Sequence, residues 1–212
     1  MALTREQIVD AALALLERDG LQGISMRKLA QELDAGAATL YWHVGDKEQL
    51  LGLLLDRIVG ENQVPDPDPE NWQEQLRVFA RSTRRMFNNR RDSAQLSMGR
   101  IPQGPNSLPM MERTLALLAS AALPPKVISY AADLFALYVG AFAYEESLPA
   151  PDTAKMGEFL QSLPPEQYPL MSGLASDLMA GSPDERFEWG LDLLIAGLEA
   201  MALRERRRHQ DG

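Results

Sequence analysis

The sequence of 212 residues contains no cysteine, and this absence excludes disulfide bonds, thiolate nucleophiles and zinc sites with cysteine ligands. Histidine is nearly absent too, since only His43 and His209 occur. Neither lies near a glycine-flanked serine, and the sequence has no HExxH or GxxxxGK(S/T) motif. We therefore predict a protein that is not an enzyme and that uses no metal or cofactor. An all-α enzyme that works through carboxylates alone is the alternative.

Long apolar runs are also missing. No stretch approaches the ~20 uninterrupted apolar residues that a membrane span needs. The N-terminus lacks the basic and apolar regions of a signal peptide. Apolar residues still make up 45% of the chain, which is enough for a folded core. We expect a cytoplasmic protein that does not bind a membrane.

Positive charge is scarce. The formal net charge is −9, and residues 1–60 carry six basic and nine acidic side chains. An acidic chain is repelled by nucleic acid, so DNA binding would depend on where individual cations lie and not on their total. The charge counts mildly against a nucleic-acid partner.

The helical period of apolar residues recurs along the whole chain and predicts an all-α fold. Thr4 and Gln7 have the spacing of a capping box, and Ser25 and Asp46 are typical N-caps. Helices are expected at about 4–19, 25–33, 37–44 and 46–62. The second and third are short and flank a turn that contains glycine, which is the sequence pattern of a helix-turn-helix.

Alternating prolines divide the chain at residues 64–69, which cannot be helical. We predict an N-terminal helix-turn-helix DNA-binding domain at 1–62, in which three helices are followed by a connecting fourth helix. A helical ligand-binding and dimerisation domain follows at 63–212. Its helices are expected at about 71–90, 109–122, 126–146 and from 182 onward. A broken segment is expected at 99–109, and the segment 148–169, which holds five prolines, is expected to be partly mobile.

The third helix has the composition of a recognition helix. Small and polar side chains on one side suit base edges and phosphates, while Leu40 and Val44 face the core. A lysine opens the next helix, where its charge and the helix amides both favour phosphate. The residues predicted to contact DNA are Arg27, Ala37, Ala38, Thr39, Tyr41, Trp42, His43 and Lys47.

Each of these residues has a structural alternative when it is taken singly. Tyr41 and Trp42 suit packing between helices, His43 suits a surface or capping position, and Arg27 suits a solvated face. Their combination within about twenty residues favours DNA binding.

The segment MRKLAQELDAGAATLYWHVGDKEQLL resembles the second to fourth helices of the TetR family of bacterial repressors. The stretches NNRRDSAQLSMGRIP and FEWGLDLLIAGLEAM resemble the C-terminal domain of its tetracycline-repressor-like members. The resemblance implies a homodimeric repressor that binds double-stranded operator DNA, responds to a small-molecule effector, and contacts a guanine through Arg27. Ala37 and Ala38 depart from the tetracycline-repressor pattern, so the operator sequence does not transfer. A helical protein-binding adaptor, an activator and a regulator that has lost sensing are the alternatives.

The effector pocket is expected between the helix at 71–90, the segment at 96–111 and the helix at 126–146. Methionine adapts its shape to bulky apolar ligands, and several methionines fall in this region. Aromatic and methionine side chains at helical spacing also suit an ordinary core. The candidate lining residues are Gln63, Phe79, Thr83, Phe87, Ser97, Met98, Arg100, Met110, Met111 and Tyr138.

Magnesium-bound tetracycline is not the expected effector. In tetracycline repressors imidazoles and an amide hold the drug, whereas the aligned positions here are Gln63, Phe79, Thr83 and Ser97. Both histidines of the chain are expected outside the pocket.

The helices at 126–146 and 183–203 are expected to form the dimer interface as a four-helix bundle. Small residues let helices cross closely. Internal packing is the alternative for the small residues in question, which are Ala136, Gly140, Ala143, Gly190 and Gly197.

Overall fold

A computed structural model describes residues 3–101, 103–150 and 152–210, without the side chains of 206 and 208–210. Within those ranges the secondary structure consists of twelve α-helices and one short 3₁₀ turn, with no strand. The all-α prediction is confirmed. His209, which was expected outside the pocket, lies among the side chains that are not described.

Four helices form the N-terminal part, and three of them begin at the capping residue that the sequence predicts. Thr4 and Gln7 form the capping box of the first helix. Ser25 accepts a hydrogen bond from the backbone N–H of Lys28, and Asp46 accepts one from that of Gln49. The helices are α1 (Arg5–Asp19), α2 (Met26–Glu32), α3 (Ala37–Val44) and α4 (Lys47–Val59), with the 3₁₀ turn at Leu21–Gly23.

The next four helices are α5 (Trp72–Asn88), α6 (Ser93–Ser97), α7 (Ser107–Ala119) and α8 (Pro125–Ser147). Helix α6 was not predicted, because five residues are too few to show a helical period. Helix α7 begins two residues before the predicted start. Pro109 lies in its first turn, where a missing N–H breaks no intrahelical bond.

The last four helices are α9 (Thr153–Ser162), α10 (Pro169–Gly173), α11 (Ala175–Met179) and α12 (Pro183–Gln210). The sequence analysis assigned no helix to the proline-rich segment 148–169, but α9 forms there between the prolines. Helices α9–α11 pack mainly on one another. They leave large apolar side chains exposed, among them Phe159, Leu170 and Leu178.

Two buried cores run through the chain. The first joins the N-terminal helices to Met86, Phe87, Leu96 and Ala143, so it continues across the predicted domain boundary. The second joins α5, α7, α8 and α12 around Phe187, which is fully buried. The N-terminal helices are therefore packed against the rest of the chain and are not joined to it by a linker alone.

Helix α5 is tied to α12 by three ion pairs. Arg77 pairs with Asp192, Arg81 with Glu188 and Arg84 with Asp184, at 2.9, 2.7 and 2.8 Å. The arginine numbers rise as the acid numbers fall, so the two helices run antiparallel.

By length and composition alone, helix α8 could cross a membrane. In the folded chain, 28% of its most apolar 18-residue stretch is buried. The expectation that no stretch approaches a membrane span therefore needs correction, because residues 127–144 contain a single charged side chain. A helix at the centre of a helical protein passes the same test. Its exposed apolar side chains include Tyr130, Leu134 and Leu137.

Several small residues expected at the dimer interface pack inside the subunit. A Cβ on Gly140 would lie 2.9 Å from Met98 Cε, and one on Gly190 would lie 2.4 Å from the Tyr138 hydroxyl oxygen. Ala143 is fully buried. Of the five small residues, Ala136 and Gly197 remain exposed.

Candidate nucleic-acid interface and effector region

Helix α3 presents one face to the core and the other to solvent. Leu40 and Val44 are buried, as predicted from their four-residue spacing. The other predicted contact residues of this helix are exposed, except His43, which is half-buried. The exposed members are Ala37, Ala38, Thr39, Tyr41 and Trp42.

Trp42 is 81% exposed, so the packing alternative is wrong for this residue. Its ring meets the His43 imidazole edge to face, with 4.6 Å between centroids. Tyr41 is 52% exposed. Burying such large side chains is favourable, so two exposed aromatics on one short helix indicate a surface that contacts another molecule.

Arg27 on α2 and Lys47 at the start of α4 are exposed. Neither forms an ion pair or side-chain hydrogen bond among the described residues, whereas the adjacent Lys28 pairs with Asp19 at 2.7 Å. Arg5 on α1 donates a hydrogen bond to the backbone carbonyl of His43 at 3.0 Å and so holds the end of α3. Two cations near α3 are thus free to meet phosphate or base edges.

A groove of about 750 Å³ separates α3 and the start of α4 from the segment that follows α6. Tyr41, Trp42, Arg100 and Ile101 are among its lining residues. Arg100 donates to Glu48 on α4 and to the carbonyl of Leu96, both at 2.9 Å. The Arg100 side chain therefore lies at the contact with the DNA-binding helices, while its backbone N–H donates to the carbonyl of Ser97 at 3.2 Å.

The remaining predicted effector residues do not share one surface. Gln63 and Met111 are exposed, whereas Phe79 and Phe87 are buried in different cores. Met110 packs against both cores.

Three effector candidates have defined neighbours at the centre of this region. The Thr83 hydroxyl accepts a hydrogen bond from Asn62 Nδ2 at 2.7 Å and donates one to the carbonyl of Phe79 at 2.8 Å. Ser97 and Met98 lie against Gly140 on α8. These contacts place Thr83 on α5, and Ser97 and Met98 at the end of α6 against α8, within the region where the pocket was expected.

Tyr138 faces α12 and not the space between α5, α7 and α8. Its hydroxyl donates to the carbonyl of Phe187 at 2.7 Å, and its ring stacks on that of Phe187 with 5.5 Å between centroids. Burial raises the pKa of this phenol. The predicted effector role of Tyr138 is therefore less consistent with the structure than a role in joining α8 to α12.

The sequence analysis missed a buried carboxylate on α4. Asp56 is 5% exposed and accepts hydrogen bonds from the backbone and side chain of both Asn106 and Ser107, at 2.6 to 3.2 Å. A Cβ on Gly104 would lie 2.2 Å from its Oδ1. Asp56 thereby fixes the N-terminus of α7 to the connecting helix. The one available signal was an acidic residue in an otherwise apolar helical stretch.

The described residues hold no cluster of three or more His, Cys, Asp or Glu side chains suited to a metal ion. An exposed recognition helix on a helix-turn-helix, joined through α4 to a larger helical domain, defines a one-component transcriptional regulator. Residues 8–54 match the family model of bacterial regulatory proteins of the tetR family, and residues 64–202 match that of the tetracyclin repressor-like C-terminal domain. The chain belongs to the TetR family, whose members are transcriptional regulators and not enzymes.

Three similar proteins carry this relationship over nearly the whole chain. A helix-turn-helix transcriptional regulator of Saccharopolyspora erythraea is 34% identical, over 94% of this chain and 86% of that protein. The transcriptional repressor DrrR1 of Streptomyces coeruleorubidus is 29% identical, over 96% and 80%. The crystal structure of apo ActR from Streptomyces coelicolor is 42% identical with a TM-score of 0.92, over 97% and 99%. ActR has also been solved in complex with actinorhodin, with a TM-score of 0.91.

Proposed function

We propose that this protein is a cytoplasmic, homodimeric repressor that binds a specific operator and is released from it by a small molecule. The observation that carries the proposal is the exposed face of α3, where Tyr41 and Trp42 stand in solvent opposite the buried Leu40. An adaptor that binds only protein has no need of the unpaired Arg27 and Lys47 beside that helix. The relationship to DrrR1, a repressor by name, supports repression over activation.

We assign the DNA contacts as follows. The two alanines at the start of α3 let the backbone approach the major groove, and their methyl groups suit thymine methyl groups. Tyr41, Thr39 and His43 offer hydrogen-bond donors to phosphate, and Arg27 offers a bidentate donor to guanine. Lys47 meets phosphate at the N-terminus of α4. These seven residues and Trp42 remain a proposal for mutagenesis.

A second copy of the chain is the partner we propose for the exposed faces of α8 and α12. Leu134 and Leu137 on α8 and Trp189 and Leu193 on α12 are about half or more exposed and recur at helical spacing. A dimer built on these faces covers them and presents two recognition helices to a palindromic operator. The exposed apolar residues of α9–α11, which connect the two helices, extend the same surface.

The effector we propose is a small organic molecule held between α5, the α6–α7 region and α8, near Thr83, Ser97 and Met98. ActR binds actinorhodin, which makes this compound the first probe. A magnesium–tetracycline chelate is not the proposed effector, because the positions that would hold it carry no imidazole. Effector binding shifts the population toward a form in which α4 is tilted, so that the two recognition helices no longer fit both half-sites.

The deciding experiment measures binding of the purified protein to the intergenic DNA beside its own gene, as a function of salt. We expect palindrome-dependent binding that weakens steeply with salt and falls roughly tenfold or more in Arg27→Ala. Lys28→Ala is the matched control, because that neighbouring cation is already paired with Asp19. Binding that ignores sequence, or equal losses in the two variants, would contradict the proposal. Operator affinity unchanged by saturating actinorhodin would exclude that compound as effector.

A further inference from the structure

The turn between α5 and α6 is hydrogen-bonded to the C-terminal end of α1. Arg91 Nη1 donates to the carbonyl of Arg18 at 2.7 Å and to that of Glu17 at 3.4 Å. Carbonyls in the last turn of a helix lack intrahelical donors, and a cation there also meets the negative end of the helix dipole. Arg91 thus acts as a capping residue supplied by the C-terminal domain to a helix of the DNA-binding domain.

The adjacent Asp92 adds a second contact to this region. Its Oδ2 accepts a hydrogen bond from the backbone N–H of Leu21 at 2.8 Å, where the 3₁₀ turn after α1 begins. Gly20 has a φ of +74°, and a Cβ there would lie 2.6 Å from Asp92 Oδ2. The carboxylate approaches the chain this closely only because residue 20 has no side chain.

The turn that carries these residues has a constrained backbone. Asp92 has a φ of +54°, a left-handed conformation that is uncommon outside glycine, although aspartate adopts it more readily than most residues, and that neighbouring contacts support. The buried Ser93 provides that support, since its hydroxyl lies within hydrogen-bonding distance of the carbonyls of Phe87 and Arg90, at 2.7 and 2.9 Å. Ser93 thereby fastens the turn to the C-terminal end of α5.

Helix α6 follows directly and is bonded to the DNA-binding helices at both of its ends. Before it, Arg91 bonds to the end of α1 and Asp92 to the 3₁₀ turn that follows α1, and after it Arg100 bonds to Glu48 of α4. We propose that Arg91 and Asp92 are positioning residues that set the orientation of α1–α4 on the C-terminal domain. Both recognition helices of the dimer then meet the operator at the correct separation. This inference rests on the proposed function and names how the orientation of that DNA-binding surface is maintained.

The test measures orientation directly. Because the chain has no cysteine, spin labels on Gln31→Cys in α2 and Glu112→Cys in α7 report a single distance between the domains, with excess unlabelled protein suppressing distances between subunits. This distance distribution and operator affinity are measured with and without Asp92→Ala. The control is Asp66→Ala, which breaks an exposed ion pair with Arg113 outside the DNA-binding domain.

We expect Asp92→Ala to broaden the distance distribution and to weaken operator binding about fivefold or more, while Asp66→Ala changes neither. Asp92→Asn keeps an oxygen acceptor for the Leu21 N–H and is expected to restore both properties. If Asp92→Ala does not fold, Arg91→Ala replaces it. A distribution as narrow as that of the unsubstituted protein, or a broadened one with operator affinity within about twofold, would overturn the inference. If the unsubstituted protein binds no operator, the proposed function fails. The distance distribution alone then decides whether Arg91 and Asp92 set the orientation of α1–α4.

Discussion

Asp56 on α4 and Ser107 on α7 form the tightest polar contact between the connecting helix and the C-terminal domain. One oxygen of the carboxylate accepts both the backbone N–H and the hydroxyl of Ser107, at 2.8 and 2.6 Å. Both residues are buried. The carboxylate lies at the N-terminus of α7, where the helix dipole favours negative charge.

Asp56→Ala is therefore expected to lower the free energy of unfolding by about 3 kcal/mol, because it leaves the two buried donors of Ser107 and the part-buried donors of Asn106 without their acceptor. Urea denaturation measures this loss. Asp10→Ala is the control, since Asp10 is exposed and lies 3.6 Å from Arg57. We expect that control to stay within about 0.5 kcal/mol of the unsubstituted protein. Equal effects of the two substitutions would show that the buried carboxylate is not structural.

The two faces of α3 are expected to separate stability from DNA binding. Leu40→Ala removes a fully buried side chain and should cost about 2–5 kcal/mol of stability. Trp42→Ala removes an exposed ring and should change stability by less than about 0.5 kcal/mol. Operator affinity should nevertheless fall in Trp42→Ala at constant fold, as measured by fluorescence anisotropy with circular dichroism as the check. Unchanged affinity in this variant would remove Trp42 from the DNA interface.

Acid sensitivity is expected to depend on Glu146. The pKa of this carboxyl lies below its ordinary value of 4.5 because Arg84 donates hydrogen bonds to it, with Asn88 adding another. A carboxyl with a lowered pKa in the folded state contributes stability that is fully present above 4.5 and is lost as pH falls through the folded value.

Glu146→Gln is thus expected to be less stable than the unsubstituted protein at pH 7 and to lose less stability on acidification below pH 4.5. Urea midpoints across that range measure the difference. Glu145→Gln is the neighbouring control, because Glu145 is 61% exposed in its ion pair with Arg186. Parallel acid profiles for the unsubstituted protein and Glu146→Gln would contradict the assignment.

Dimerisation is expected to depend on the exposed leucines of α8 and α12. Leu134→Glu and Leu193→Glu place a charge on faces that we assign to the subunit interface, and burying it there is costly. Sedimentation should show a folded monomer for both variants. Val78→Glu on α5 is the control, since Val78 is comparably exposed at 45%. Dimers of unchanged affinity in the two α8 and α12 variants would place the interface elsewhere.

The features that the sequence alone determines are those set by interactions between residues close together in the chain. Thr4, Ser25 and Asp46 start helices through bonds to amides three residues away, so neighbouring residues suffice to predict them. Leu40 and Val44 lie on the buried face of α3 because the helical period places them one turn apart. The fold class, the helix-turn-helix and the exposed recognition face follow from such short-range patterns and from the family resemblance.

The tertiary structure alone decided which distant side chains meet. Asp92 lies 71 positions from Leu21, and Glu48 lies 52 positions from Arg100. No local pattern pairs such residues, because their proximity results from the packing of whole helices. The same packing turned Tyr138 toward α12 and placed Gly140 under α6. The contacts between the DNA-binding helices and the C-terminal domain therefore depend on the tertiary structure and cannot be read from the sequence.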